Sequence, residues 1–400
     1  MTIHFAFLLH IYQPPTQIAP VLKQIANESY RPILETLKKY PLARITLNIN
    51  ATLTEQLADY GFTDIINLII ELANRGQIEF TGSGKFHPLL PLLPEPEVIR
   101  QIKLNNETNK KFFGNYNPRG FFPPEMAVSE EIYEPIRNMG FDWLIVSGIA
   151  NTLPEFPTDF ISTHPPTSLK LVFRDDLISN DVGFDKINNV DHFASRLKYR
   201  NTNKDYYIIL AMDGETFGHH VKHGIQNFLK PLFQSLEYRD DIQMRTVSEI
   251  IDNYPKLKEQ IPKTSSWSTM SFDITQDNPF PLWLDKRNEL HVELYRLIMF
   301  ATTAVHLAAK YEHIMDNEKK EIYKNARNFL DRGLHSCTQW WGSKRPWYSP
   351  DMILRGINEI LLALINAKRS LPENVEEVRD VFTAIVNGVL KSHNKIIESF

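Results

Sequence analysis

The fold is decided by an apolar run that ends in an acidic turn, Tyr206-Tyr207-Ile208-Ile209-Leu210-Ala211-Met212-Asp213-Gly214-Glu215. An apolar run of this length, bounded by a turn signal, predicts a buried β-strand. Barrel enzymes present a carboxylate at the carboxyl end of a strand in this way, because the chain turns sharply directly after the acid. The stretch therefore predicts one strand of a parallel barrel, with Asp213 as a candidate catalytic acid.

A second stretch has the same design, with an apolar run, two prolines and an acid, Gly120-Phe121-Phe122-Pro123-Pro124-Glu125. Two carboxylates at strand ends suggest a pair that cleaves glycosidic bonds. Each acid also has an ordinary interpretation. Glu125 fits the cap of a following helix, and Asp213 fits a common Asp-Gly turn. From the residues alone, these alternatives stay open.

Outward from these two stretches, short apolar runs alternate with longer segments of helical periodicity. The further strand-like runs are Ile3–His10, Arg44–Asn50, Gln77–Thr81, Trp143–Ser147 and Leu169–Phe173. The helix-like segments include Ala19–Lys39, Thr63–Asn74, Glu95–Phe112, Ser129–Met139 and Ile225–Leu236. Because strand and helix alternate, the pattern favours an α/β fold with a parallel sheet closed into a barrel.

The pattern changes near Asn288, where strand-like runs end. Four amphipathic helical stretches follow, at Asn288–Tyr311, Asn317–Leu334, Asp351–Ser370 and Val375–Phe400. We predict a catalytic barrel over residues 1–287 and a helical domain over residues 288–400 that contributes to the substrate cleft. Three of the six tryptophans, Trp340, Trp341 and Trp347, lie in one turn-rich loop of that second domain.

Composition excludes several classes of partner. The 400 residues carry a formal net charge of -4, which gives no basic field for nucleic acid or anionic lipid. Cys337 is the only cysteine, so the chain forms no internal disulfide and holds no Cys-x-x-Cys zinc site. We expect a cytoplasmic protein without a membrane segment, since no window approaches roughly 18 apolar residues.

Polar residues collect at the ends of the strand-like runs, where a barrel would bring them together. They are His10, Gln13, Asn48, Asn50, Glu79, Glu125, Asp213 and Glu215. His219 and His223 stand four apart and could face a metal with His10 and Asp213, but the Glu of His-Glu-x-x-His is missing. Such histidines more often bind sugar hydroxyls or pair with neighbouring carboxylates, and we favour this over a metal site. We take His219 as a sugar-binding candidate and expect neither metal nor cofactor.

Aromatic residues in loop-like segments have two interpretations. Packing is the safer one for any single residue, whereas as a set Trp267, Trp340 and Trp341 suit the apolar faces of glucose rings. The phosphate-loop likeness of Thr81–Lys85 fails, because Glu79 stands where the first glycine belongs. We therefore expect a neutral sugar as the partner.

These residues resemble the ordered motifs of glycoside hydrolase family 57, retaining enzymes that act on alpha-glucans. The motifs lie at His10–Pro14, Gly76–Phe80, Gly120–Glu125, Met212–Glu215 and, more loosely, Trp267–Asp285, with His335–Trp341 similar to part of the family's helical cap. The resemblance implies an incomplete (β/α)7 barrel with a C-terminal helical region. It also implies Glu125 as nucleophile and Asp213 as acid/base, with Glu79, Glu215, His10 and Asp273 holding hydroxyls. Phe122 stands where the family often has Trp.

The interval between the two acids is 213 - 125 = 88 residues, which leaves little room for the insertion that similar branching enzymes carry. Alpha-amylase-type hydrolysis of alpha-1,4-glucans is therefore the leading prediction. A 4-alpha-glucanotransferase or a branching enzyme is the alternative within the family. A non-catalytic glucan-binding protein and, more weakly, a metal-dependent deacetylase on a related barrel are alternatives of other classes.

Overall fold

The computed structural model describes residues 1–200, 202–345, 347–372 and 376–400. Contacts divide the chain into two compact units. The barrel unit comprises Met1–Gln13, Gln17–Lys85 and Leu90–Trp267, and the helical unit comprises Pro14–Thr16, Phe86–Leu89 and Ser268–Phe400. The helical unit thus begins at Ser268, earlier than the predicted Asn288. Hydrogen bonds explain the difference, because Asp273 binds Arg345 and the Asp285 N–H donates to His291.

The strands of the barrel unit match the predicted runs. Within the described residues they are β1 Ile3–Ile11, β2 Ile45–Ile49, β3 Ile78–Gly82, β4 Gly120–Phe121, β5 Trp143–Val146, β6 Ile161–Thr163, β7 Lys170–Phe173, β8 Tyr206–Asp213, β9 Ile242–Met244 and β10 Leu257–Glu259. All seven predicted strands are present. The sequence pattern missed β6, β9 and β10, because three residues are too few to show periodicity.

Seven parallel strands form the ring, in the order β8-β1-β2-β3-β4-β5-β7. The ring closes between β7 and β8 through a single parallel bridge, Arg174 to Ile209, supported by the Asp175 N–H on the Ile209 carbonyl at 2.8 Å. The other strands lie outside the ring, with β9 beside β1 and the β6–β10 pair beside β7. The predicted incomplete (β/α)7 barrel is confirmed.

Helices occupy all the predicted helix-like segments of the barrel unit. They are α1 Ala19–Ile25, α2 Arg31–Lys39, α3 Ala51–Asp59, α4 Thr63–Asn74, α5 Glu95–Phe112, α6 Glu130–Asn138, α7 Asp176–Gly183, α8 Val190–Leu197, α9 Lys230–Ser235 and α10 Val247–Asn253. Of these helices, α3, α7, α8 and α10 lie outside the predicted segments. A π-helical turn, Ala26–Tyr30, joins α1 to α2, and a second, Ile225–Leu229, precedes α9. Such turns carry one extra residue and recur at functional sites.

Side-chain alternation along the strands separates two apolar layers. Ala6 and Leu8 of β1 point inward with Ile209 and Ala211 of β8, and helix α10 packs against this inner cluster. The intervening residues pack under the surrounding helices. Because alternation has a period of two, the next inward positions at the carboxyl ends are His10 on β1 and Asp213 on β8.

The helical unit is built from α11 Ser271–Thr275, α12 Glu289–Lys310, α13 Asn317–Gly333, α14 Cys337–Trp341, α15 Pro350–Ser370 and α16 Glu376–Glu398. Val375, where the last predicted helix begins, lies outside the described residues. Helix α12 is long and apolar enough to cross a membrane, so the expectation that no segment approaches this is wrong. Most of that window is buried, and α12 packs against α15 and α16, as the core helix of a folded unit does.

Candidate active site

Asp213 is the last residue of β8 and lies in register with His10 of the neighbouring β1. Burial raises the pKa of the Asp213 carboxyl, and the positive charge of Arg174 opposes that rise. A carboxyl that keeps its proton towards neutral pH can protonate a leaving oxygen. The position and environment of Asp213 therefore suit a general acid.

Arg174 is a site residue that the sequence reasoning missed. It follows β7 directly and is buried, with its Nε donating to the Ala211 carbonyl at 2.8 Å. Its guanidinium also binds Asp176 and Asn180, each at 2.8 Å. The strand-end rule that singled out Asp213 would have found Arg174 too, since a polar residue there directly ends the apolar run of β7.

Glu215 lies two residues beyond Asp213 and is almost fully buried. Its Oε1 accepts hydrogen bonds from the Tyr30 hydroxyl and from the Gln13 amide, the latter at 3.1 Å. Burial raises the pKa of Glu215, and the charge of Asp213 raises it further. Two neighbouring buried carboxyls cannot both ionise readily, so they titrate as one pair.

Glu125 is held by its backbone. Its φ is 61° and that of Met126 is 47°, values that cost a non-glycine residue on the order of 1–3 kcal/mol each. The Trp267 N–H donates to the Glu125 carbonyl at 3.1 Å, and the Trp267 indole N–H donates to Glu125 Oε2 at 3.0 Å. Helix α6 begins only at Glu130, after Ser129. Glu125 is therefore not the cap of that helix.

His10 connects the two acids. Its ring stacks on Phe122 at 4.8 Å and lies 6.0 Å from the ring of Trp267, while Nδ1 pairs with Asn48 Oδ1 at 2.6 Å. Burial lowers the pKa of His10 to about 4, so the ring is neutral at neutral pH. Asp213 beside His10, and Glu125 on Trp267, therefore belong to one cluster. Phe122 is fully buried and packs on His10.

The structure places Glu79 elsewhere in the barrel. It pairs in register with Thr46, two residues before Asn48, and so lies about 7 Å nearer the amino ends of the strands. Its Oε2 accepts hydrogen bonds from the Thr46 hydroxyl at 2.8 Å and from the Ser248 N–H of α10 at 3.2 Å. These contacts anchor α10 and do not bring Glu79 to the cluster around Asp213.

His219 binds protein rather than facing the barrel cluster. Its Nδ1 lies 2.6 Å from Glu28 Oε2, and Lys222 binds the same oxygen at 2.8 Å. His223 lines a surface pocket of about 360 Å³ together with His220. Within the described ranges, no group of three or more His, Cys, Asp or Glu side chains could hold a metal ion.

The remaining predicted residues lie in the helical unit. Asp273 is fully buried, and its carboxylate binds Arg345 at 3.0 Å and the Met270 N–H at 2.9 Å. It therefore serves as an internal anchor of that unit. Trp340 and Trp341 form an edge-to-face pair with ring centroids 4.9 Å apart. Their use as sugar platforms stays a prediction.

A parallel barrel with two carboxylates at the carboxyl ends of its strands, one with its pKa raised by burial and one fixed by a strained turn, is the arrangement typical of glycosidases. The comparisons with known proteins agree. The model of Glycosyl hydrolase family 57 matches residues 8–263, and the chain belongs to that family.

Two curated relatives, both named alpha-amylase, are similar over much of the chain. The one from Pyrococcus horikoshii is 25% identical over 74% of this chain and 48% of its own length, and the one from Pyrococcus abyssi is 24% identical over 88% and 56%. The chain thus spans about half the length of these relatives. Among solved structures, the branching enzyme of Pyrococcus horikoshii superposes with a TM-score of 0.74 at 16% identity, covering 96% of this chain and 94% of that one, which supports the fold.

Proposed function

We propose that the chain is a retaining glycosidase that hydrolyses alpha-1,4-glucans by double displacement. The observation that carries this proposal is the cluster in which Trp267 holds the Glu125 carboxylate and packs on His10, the register partner of Asp213. A retaining enzyme requires its two carboxyls about 5–5.5 Å apart. The cluster provides two acids of different character for the two roles.

Asp213 would give its proton to the glycosidic oxygen while a Glu125 oxygen attacks the anomeric carbon. The bond to the leaving sugar breaks, and a glycosyl ester forms on Glu125. Asp213, now a carboxylate, would take a proton from water, whose oxygen attacks the same carbon and frees Glu125. Arg174 would stabilise Asp213 in this second, charged state. The neutral His10 would bind a sugar hydroxyl.

Transfer to a second sugar instead of water is the alternative, and a relative supports it. The 4-alpha-glucanotransferase of Thermococcus kodakarensis is 31% identical over 144 residues, 36% of this chain and 22% of its own. Both reactions share the glycosyl ester. Products longer than a supplied maltooligosaccharide indicate transfer, and only shorter ones indicate hydrolysis.

The proposal is tested with Glu125→Gln, which keeps size but removes the nucleophile. We expect turnover of maltooligosaccharides to fall at least about a thousandfold with binding retained, because only the covalent step is lost. Glu131→Gln, an exposed position in α6, is the matched control and should be neutral. Wild-type protein that binds glucan without turnover would support the non-catalytic binder, and an active Glu125→Gln variant would refute the assignment.

A further inference from the structure

The π-helical turn Ala26–Tyr30 lies directly against the loop that follows Asp213. The Ser29 hydroxyl donates to the Gly214 carbonyl at 3.0 Å, and Glu28 binds His219 and Lys222. A π-turn arises from one extra residue in a helix, costs stability and recurs at functional sites. Glu28 and Ser29, two consecutive residues of this turn, thus both contact the same short loop.

The fit between turn and loop leaves no room for a side chain at Gly218. Its φ is +94°, and a Cβ placed there would lie 2.0 Å from the Glu28 carbonyl oxygen. Only glycine combines this backbone conformation with so close an approach. The backbone of the loop that carries Asp213 and Glu215 therefore packs directly on the turn, and side-chain hydrogen bonds add to this contact.

Tyr30, the last residue of the turn, reaches the acid pair itself. Its hydroxyl and the Gln13 amide both donate to Glu215 Oε1, and the Gln13 carbonyl is fixed by Gln17 at 2.8 Å. Donors to a carboxylate favour its charged form. When one proton is shared between Asp213 and Glu215, these two bonds favour the state in which Glu215 carries the charge.

Two further groups face the pair. Arg174 is a permanent cation that favours the charged form of Asp213, and His10 is neutral at neutral pH. The same turn carries Glu28, whose hydrogen bonds to Lys222 and His219 lower its pKa to about 2. Tyr30 and Gln13 therefore act against Arg174, because their hydrogen bonds favour the charge on Glu215.

We propose that the π-helical turn positions the loop that carries Asp213 and that Tyr30, through its hydrogen bond to Glu215, shifts the proton shared by the two carboxyls towards Asp213. Tyr30 is a positioning residue in this scheme, since it does not touch the glycosidic bond. The inference rests on the proposed function, because a proton on Asp213 matters only if Asp213 is the acid. It predicts that Tyr30 affects the step that needs a proton and spares a step that does not.

The test compares two substrates in the Tyr30→Phe variant. A maltooligosaccharide has a sugar leaving group that needs protonation, whereas fluoride leaves an alpha-maltosyl fluoride without it. We expect Tyr30→Phe to lower kcat on the maltooligosaccharide about tenfold, since a change of one pKa unit alters the protonated fraction tenfold. Turnover of the fluoride should stay within about twofold, and the pH profile on the maltooligosaccharide should shift.

Tyr207→Phe is the matched control, because Tyr207 is fully buried and its hydroxyl donates to a backbone carbonyl, that of Phe160, at 2.7 Å. It should leave the ratio of the two activities unchanged. Equal losses on both substrates in Tyr30→Phe, or no loss on either, would overturn the inference while wild-type turnover upholds the proposed function. Absence of wild-type turnover on both substrates would overturn both.

A double-mutant cycle gives a second, independent readout. In Glu215→Gln the neighbouring side chain cannot take the proton, so adding Tyr30→Phe should change the pH profile of the residual activity no further. A shift of equal size in both backgrounds would show that Tyr30 acts by another route. Fluoride turnover by the double variant reports that the site has folded.

Discussion

The two carboxylates that we propose as catalytic are held by opposite means. Glu125 sits on a strained backbone turn and receives the indole N–H of Trp267, whereas Asp213 has ordinary extended geometry, with φ of -63° and ψ of 134°, and depends on charged and buried neighbours. The nucleophile needs a fixed direction of attack, and the acid needs a proton. The difference teaches that backbone strain fixes the geometry of one carboxylate, while burial raises the pKa of the other.

The largest effects are expected when each acid is replaced and the leaving group of the substrate is changed, because this tests the different roles of Glu125 and Asp213. Asp213→Asn should lose at least about a thousandfold on maltooligosaccharides but should still release a first equivalent of fluoride from alpha-maltosyl fluoride, since fluoride needs no proton and only the later hydrolysis of the glycosyl ester needs Asp213 as base. Glu125→Gln should lose both activities. Initial rates on both substrates measure this, and equal sparing of the fluoride by both variants would contradict the assigned roles.

The packing of the loop after Asp213 on the π-helical turn is tested at Gly218. Gly218→Ala should destabilise the fold through its positive φ and through the clash with Glu28, and it should lower activity with it. Gly61→Ala is the control, because Gly61 has φ of +81° with nothing within 4 Å of an added Cβ. Strain alone costs about 1–3 kcal/mol, and the clash adds about 1–3 more. Urea unfolding of both variants should show that gap, and equal losses would refute the close fit.

The nucleophile side is tested at Trp267. Trp267→Phe keeps an aromatic ring against His10 but removes the N–H that Glu125 accepts. A hydrogen bond to a charged group contributes about 1.5–3 kcal/mol, so kcat should fall about tenfold to a hundredfold. Trp143→Phe, which loses a bond to Ser248 at 2.9 Å, should cost stability and leave kcat near wild type. Similar kcat values in the two variants would show that the hydrogen bond from Trp267 to Glu125 does not contribute to turnover.

The smallest effect concerns stability against pH. The folded-state pKa of Glu215 is raised, so the folded state holds this proton more tightly and stability falls as pH rises from the ordinary glutamate range through the folded pKa. Glu215→Gln removes that loss. Its melting temperature relative to wild type should be higher at pH 8 than at pH 5 by about 1–3 °C. Thermal scans at both pH values measure this, and a constant difference would refute it.

Local patterns predicted the ring strands and singled out the two acids that we propose as catalytic, because a strand-end carboxylate next to Pro or Gly is visible within six residues. Glu79 shows the limit. The sequence suggested a strand end, but β3 runs on to Gly82, so Glu79 lies within the strand and belongs to the layer that anchors α10. Whether a polar residue lies at the end of a strand or within it depends on the register with the neighbouring strand. That register cannot be read from the sequence of one segment alone.

Long-range partners were the other gap. Tyr30 lies on a segment of helical periodicity, where an aromatic residue reads as core, and its bond to Glu215 spans 185 residues of chain. The π-helical turn that positions Tyr30 is not visible in the spacing of the apolar residues. Asp273 shows a similar limit, since its ion-pair partner Arg345 is remote in sequence and the pairing is not visible in either segment.

The ring is joined between β7 and β8 by a single backbone bridge, so one edge of the strand that carries Asp213 lacks a continuous ladder. Side chains replace it there, with Arg174 on the Ala211 carbonyl and Ser179 on the Ala211 N–H at 3.2 Å. Amide protons along this seam should exchange with deuterium sooner than those between β1 and β8. Heating should therefore open the barrel between β7 and β8 before it separates β1 from β8.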